Sequence, residues 1–219
     1  MGILTFRRYF LDQVLEKIEF SGKVLDIGGV RENQRGRFRP PMGNVKSWQY
    51  LNIDASTSPD YCCSAENIPI KDSELDMILM AEVMEHLENP GMVLSECHRI
   101  LKADGKIVIT TPFMYMIHAH PHDYQRWTLE GIQREMIRAG FAVKDIQPMG
   151  GLFAAVYDLV RGGLVLASTN SRKLSNRAIV KFVLPIFFQL FLLLDKKYDY
   201  KRNWITTGYC AIGKKKILK

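Results

Sequence analysis

The chain has 219 residues, 47% hydrophobic and 24% charged, which is enough for one domain with a substantial core and too apolar for extensive disorder. Its 30 Lys and Arg against 23 Asp and Glu give +7, but the excess is scattered through RRYF, RENQRGRFR, SRKLSNR, KKYDYKR and the GKKKILK tail. With no basic stripe carrying interleaved aromatics, nucleic acid is disfavoured as a partner, and an anionic substrate or lipid surface accounts for the charge.

The opening MGILTFRRYFLDQVLEKIEF has no signal-peptide core, and Phe6 stands where the myristoylation pattern wants Ser or Thr. Phe6, Phe10, Leu11, Val14, Leu15 and Ile18 recur at helical spacing, so a leading amphipathic helix is expected, ended by SGK. KVLDIGG then reads as a buried parallel strand closed by a tight glycine turn. The polar stretch RENQRGRFRPPMGN is broken by Pro40, Pro41 and Gly43 and leaves room only for a short helix. WQYLNIDAS predicts a second strand ending in Asp54, DYCCSA a short third, LDMILMAEV a fourth and GKIVITTPF a fifth.

Between the last two, ENPGMVLSECHRILKADG puts Met92, Val93, Leu94, Cys97, Ile100 and Leu101 on one helical stripe, with Asp104 and Gly105 as its stop. TLEGIQREMIRAGF is a further helix, with Thr128 as N-cap and Gly140 as stop. FAVKDIQPM and ITTGYCAIGKK are the closing strands. Cys62, Cys63, Cys97 and Cys210 show no zinc spacing and read as reduced thiols of a cytosolic protein.

The alternation predicts a doubly wound, Rossmann-like α/β fold: a mostly parallel seven-stranded sheet with helices on both faces, formed by one domain over 1–219. Residues 151–203 interrupt it as a helical insertion before the last strand. Within it FVLPIFFQLFLLL, 182–194, is strongly apolar yet shorter than the ~20 residues of a spanning helix. Its basic flanks suit a helix lying in a membrane interface, at the inner face of the membrane; packing on the sheet or on another subunit, as a lid or a homo-oligomer element, is the alternative.

Ligands of such a sheet lie beyond the C-terminal strand ends. Paired glycines there let backbone approach a ligand closely, and an acid ending the second strand accepts hydrogen bonds from ribose hydroxyls, a logic common to NAD and S-adenosylmethionine. GGVRENQ is not GxGxxG, which disfavours a pyrophosphate cradle.

VLDIGG, the acid of YLNID, and CSAENIPIKDSELDMILMAEVMEHLENPGMVLSECHRILKADGKIVITTPF resemble, in order and spacing, the class I S-adenosylmethionine-dependent methyltransferases of the type 11 family. The resemblance spans about residues 20 to 150. It implies that Asp26, Gly28 and Gly29 surround the methionine part of S-adenosylmethionine, that Asp54 binds the ribose hydroxyls, that Ala65 and Glu66 contact the adenine, and that Ala81 and Glu82 lie beside the sulfonium end. The turn lacks the family's usual third glycine, and Ser64 stands where Asp is common. These departures keep a non-catalytic binding protein on a methyltransferase fold among the readings.

EVMEHL spaces Glu82, Glu85 and His86 at i, i+3 and i+4, one face if the stretch is helical. Two carboxylates and an imidazole can bind a divalent cation, Mg or Mn, whereas capping or loop-holding is the structural alternative. The stretch is similar to the metal motif of ubiquinone-biosynthesis and small-RNA 2′-O-methyltransferases, which implies a further ligand from the loop after the fifth strand, here His118.

That loop, PFMYMIHAHPHDYQRWTLEGI, holds three of the five histidines. It resembles a subset of the family associated with surface-polysaccharide biosynthesis, PFxxxxHxxPxDYxRxT, with His118, Pro121, Asp123, Tyr124, Arg126 and Thr128 matching. A hydroxyl acceptor needs a base, and an imidazole works near neutral pH, so His118 is the first candidate, with His122 and Asp123 in reserve. Arg126 either clamps an anionic acceptor group or pairs with Asp123 or Glu130. The expected activity is O-methylation of a sugar or glycan hydroxyl. The alternative enzyme is a metal-assisted O-methyltransferase of a quinone-like or other small hydroxylated acceptor.

Overall fold

The structure, a computed structural model, describes residues 5–31, 36–118, 122–169, 183–198 and 205–216. His120 and Pro121 of the histidine loop, and the parts 170–182 and 199–204 of the expected insertion, lie outside the described residues.

Seven strands form one sheet in the order β3-β2-β1-β4-β5-β7-β6. They are β1 (Gly22–Ile27), β2 (Val45–Asn52), β3 (Tyr61–Cys62), β4 (Leu75–Ala81), β5 (Leu101–Pro112), β6 (Phe141–Pro148) and β7 (Gly208–Lys215). Pairings from β3 through β5 are parallel, whereas β7 runs antiparallel to both β5 and β6. This is the doubly wound, mostly parallel architecture expected. The central strands are apolar without alternation because both sheet faces are covered. Along β4, Leu75, Ile78 and Met80 enter the core on one face, while Met77, Leu79 and Ala81 enter the core on the other.

The first face is covered by α2 (Pro90–Ile100) and α3 (Leu129–Arg138), through Val93, Leu94, Cys97 and Ile100 on one and Ile132 and Met136 on the other. Met92, assigned to the same stripe from spacing, is 56% exposed. On the opposite face α1 (Phe6–Glu16) buries Leu11 and Leu15 against Val24, Leu79 and Val108. Thr128 caps α3 as expected, accepting from the Gly131 N–H at 3.1 Å.

The stripe over 88–105 ends earlier than its apolar pattern suggests. Leu101 already pairs with Leu75 at the start of β5, and Asp104, at φ 60°, turns the chain inside that strand rather than ending a helix.

Two helices of the expected insertion are described: α4 (Leu152–Thr169) and α5 (Leu184–Lys197). They pack on each other and on α1, where Phe6, Ala154, Tyr157, Leu184, Phe188 and Leu192 form a separate core. Two buried acids tie these helices end to end. Asp195 of α5 accepts from Gly151 N (3.0 Å) and Ala154 N (2.9 Å) at the start of α4, and Asp158 of α4 accepts from Phe6 N and Arg7 N (both 2.8 Å) at the start of α1. Each satisfies amide groups that a helix N-terminus leaves without an intrahelical partner.

Candidate active site

The site is assembled at the C-terminal ends of β1, β2, β4 and β5, where the strand order reverses around β1. After β1, Gly28 takes φ 68° and donates to Leu51 O at 2.7 Å, holding the turn against β2. Gly29 is fixed by space: a Cβ there would come within 2.6 Å of both the Asp26 carboxyl carbon and the Tyr50 ring. The Asn52 side chain seals the turn by donating to Gly29 O at 3.1 Å.

Asp54 lies just beyond β2, exposed, and accepts from Ser56 N at 2.9 Å as the cap of a short 3-10 turn. Ala65 is buried; Glu66, next to it, accepts from the Asn89 side chain at 3.2 Å. Arg31 crosses this edge, donating to Ser58 O and pairing with Asp60.

Glu82 follows β4 in a left-handed conformation, φ 57°, which is uncommon for a residue with a side chain. Its carboxylate is turned to Thr110 Oγ1 at 3.2 Å and to the Arg7 guanidinium of α1, which also lies 4.1 Å over the Tyr115 ring. EVMEHL is therefore not a regular helix; only Met84–His86 form a 3-10 turn, and Glu82 does not share a face with Glu85 and His86. The tight reversal at residue 82 separates them. A cavity of about 200 Å³ runs from Asp26, Leu79 and Ala81 past Glu82 to His86 and His118, with Arg7, Arg8 and Phe38 among its other walls.

At the far end of the cavity Glu85, His86 and His118 converge, with one ligand-capable atom from each lying within 4.8 Å of the others. His86 Nδ1 faces the carbonyl of His122. His118 Nδ1 lies 3.2 Å from Met116 O and 3.3 Å from Asp123 Oδ2. The partners of both Nδ1 atoms accept only, so in the neutral ring Nδ1 carries the proton and Nε2 the lone pair. Both Nε2 atoms stand 3.7 Å from Glu85 Oε1, beyond hydrogen-bond range.

Glu85 is fully buried, and among the described residues neither of its carboxylate oxygens has a hydrogen-bond partner. Burial, then the nearby Glu82 charge, push its pKa up to about 8. Burial and, after it, the Arg7 charge lower that of His118, favouring the neutral ring.

The histidine loop is stitched to the Met84–His86 turn: Tyr124 N donates to Glu85 O at 2.8 Å, and the Gln125 amide donates to Met84 O and Leu87 O. Asp123 accepts from His118 N at 2.9 Å and is gripped by both terminal nitrogens of Arg126, which hold its carboxyl well below the usual range. The fork of Arg126 is thus engaged inside the loop by Asp123, the ion pair that is one of its two expected roles. His122 contributes its carbonyl, while its exposed ring sits 5.3 Å from that of Tyr124. Trp127 packs in the core beneath.

Of the residues singled out from sequence, Asp26, Ala81, Glu82, His86 and His118 meet at one cavity, and Glu85 abuts it. Asp54, Ala65 and Glu66 border the neighbouring strand ends. Arg7, Phe38, Thr110 and Tyr115 went unrecognised. The only signal for Arg7 was the basic RRYF stretch, which carries no indication of what α1 covers.

A "Methyltransferase domain" family matches residues 42–109. An uncharacterized protein of Methanocaldococcus jannaschii is 46% identical over 94 residues, 40% of this chain and 43% of that protein. A malonyl-[acyl-carrier protein] O-methyltransferase of Laribacter hongkongensis is 34% identical over 50 residues, 23% of this chain and 17% of that protein. The chain thus covers less than half the length of these relatives. The fold is shared with the [4+2]-cyclase SpnF at a TM-score of 0.62 and 14% identity, over 96% of this chain and 82% of that one. The sheet order and the glycine turn agree with the family match, which is to a methyltransferase domain over residues 42–109.

Proposed function

We propose that this chain transfers a methyl group from S-adenosylmethionine to a hydroxyl oxygen of a sugar or glycan acceptor, with His118 as the base. The observation that carries the reading is the orientation of His118. Its ring lines the cavity, with Nδ1 turned to Asp123 at 3.3 Å and Nε2 toward Glu85 at 3.7 Å.

The residues present fit the cofactor. The turn at Gly28 and Gly29 brings backbone where a side chain would collide, and the cavity begins at Asp26 and Ala81. Asp26, Gly28, Gly29, Ala81 and Glu82 are assigned to its methionine and sulfonium portion, Asp54 to the ribose, and Ala65 with Glu66 to the adenine. When bound, S-adenosylmethionine supplies an electrophilic methyl group on a sulfonium. Displacement at that carbon needs an aligned acceptor with its proton removed.

His118 Nε2 takes the proton, and Asp123, kept ionised by Arg126, stabilises the resulting imidazolium through Nδ1–H. Arg126 is accordingly a positioning residue. The similarity of residues 112–128 to the polysaccharide-associated loop is what points to a sugar. His122 is left without a role in the step.

A second reading is supported by Glu85, His86 and His118. Two imidazole lone pairs and a buried carboxylate without donors are a ligand set for a divalent cation, and the carbonyls behind both Nδ1 atoms are the partners that ligating histidines use. Glu82, engaged by Arg7 and Thr110, is outside this set. A cation there would make a neighbouring hydroxyl more acidic, suiting a quinone-like or other small hydroxylated acceptor.

Calorimetric titration with S-adenosylmethionine comes first, because absence of heat would favour a non-catalytic binding domain. Labelled methyl transfer to nucleotide sugars, glycans and quinols, with and without chelator, then separates the two catalytic readings. Activity that survives chelation supports His118 as base, while activity lost to chelator and restored by Mn or Mg supports the cation.

A further inference from the structure

Helices α4 and α5 lie antiparallel. The start of α4 is bound by Asp195 near the end of α5, and the Tyr157 hydroxyl of α4 donates to Leu184 O at the start of α5, 3.2 Å away. Their inner faces are used by the core around Phe6. Their outer faces are apolar as well. Leu152, Val156, Leu159 and Val160 follow helical spacing along α4, and Ile186, Phe187, Leu190 and Leu193 do so along α5; all are exposed, Ile186 by 70% and Leu193 by 66%. So many large apolar side chains on one helical pair mark a surface that meets something other than water.

The charge says what kind of surface it meets. The acids of the two helices, Asp158 and Asp195, are both buried as helix caps, so they present no negative charge outward. Lys196 and Lys197 end α5 exposed. In the sequence, residues 159–194 contain Arg161, Arg172, Lys173, Arg177 and Lys181 and no acid. Among the described residues of the two helices the exposed charged side chains, Lys196 and Lys197, are both basic, which complements an anionic surface and does not complement itself across a two-fold axis.

The histidine loop also touches α4. The Met116 methyl lies on Gly162 of α4, so close that an added Cβ would stand 1.9 Å from it. The next residue, Ile117, is 82% exposed and immediately precedes His118. Among the described residues no helix is long and apolar enough to cross a membrane, which fits helices that lie on one.

We propose that the outer face of α4 and α5, together with Ile117, seats this protein on an anionic lipid surface and brings the His118 end of the cavity to the headgroups. That an acceptor hydroxyl is carried on a lipid-anchored molecule would follow only if the methyl transfer proposed above holds; the seating itself does not depend on it.

Flotation of the full chain with phosphatidylcholine vesicles, and with vesicles containing phosphatidylglycerol, tests the seating without any turnover. The chain is expected to float with the anionic vesicles, about tenfold more weakly with the neutral ones, and less at high salt. The double substitution Leu190→Glu, Leu193→Glu should reduce flotation by at least about tenfold. Both positions are exposed, so its melting temperature should match the parent chain, and the charge-reversing pair Lys196→Glu, Lys197→Glu should remove the anionic preference with the apolar face intact. The proposal is overturned if the parent chain stays with neither vesicle, or if both variants float as it does. A concentration-dependent dimer in light scattering that the leucine variant disperses, without flotation, would assign the face to a second copy.

Discussion

Two regions of this molecule bury acids, and they treat them in opposite ways. In the helical pair, Asp158 and Asp195 are each 2% exposed and each accepts two backbone N–H groups, so burial is matched by hydrogen bonds. Beside the cavity Glu85 is at least as buried and, among the described residues, is offered no donor at good geometry. The pKa values follow: burial lifts Asp158 only to about 6 because its donors offset part of the desolvation, whereas Glu85 rises to about 8. An acid with donors holds helices together. One without them, set against two imidazoles, is the group on which the proposed cation reading rests.

The sharpest way to break this contrast is at the cavity. His118→Ala should lower turnover by roughly a hundred- to ten-thousandfold, with cofactor affinity by calorimetry unchanged. Equal turnover in that variant would remove the histidine from the chemistry. Next in size, Asp158→Ala orphans the Phe6 and Arg7 amides and should cost about 3 kcal/mol in urea unfolding. A neutral result would mean that α1 does not depend on α4.

The third test uses pH. Because the folded-state pKa of Glu85 is raised, its contribution is whole below the ordinary value of 4.5 and is lost as pH rises to about 8. Glu85→Gln should flatten stability across that window, by on the order of 2 kcal/mol, while leaving the corresponding Asp158 dependence between 3.8 and about 6 in place. Identical pH profiles for parent and variant would contradict the assignment. The smallest effect is expected at Asp54, an exposed cap: Asp54→Ala should cost about 1 kcal/mol of stability. Its proposed ribose contact predicts at least about tenfold weaker cofactor binding by the same calorimetry.

The fold was legible because strands buried on both faces must be apolar throughout and because glycines and capping residues mark where they end. KVLDIGG, LDMILMAEV and Thr128 did what their chemistry requires. The helix stop at Asp104 and Gly105 was misplaced since Leu101 serves a helical stripe and a strand equally well; only its pairing with Leu75 decides. In the site, the convergence of His118 with His86 and Glu85 could be anticipated from the resemblance of EVMEHL to a metal motif completed from the loop after the fifth strand. The exclusion of Glu82 could not, because spacing assumes a helix and residue 82 turns left-handed instead.

What the sequence determines by itself is therefore local and periodic: where strands and helices run, that the sheet is wound on both faces, and which polar residues fall at strand ends. Those properties depend on near neighbours and on the 2.0 and 3.6 residue repeats. Only the tertiary structure decides which charges meet. Arg7 comes from the first helix to pair with Glu82, Asp123 pairs with Arg126, and Glu85 is left without donors among the described residues beside two imidazoles. Each is a contact between elements, and its energy depends on a distance and a burial that no linear spacing encodes.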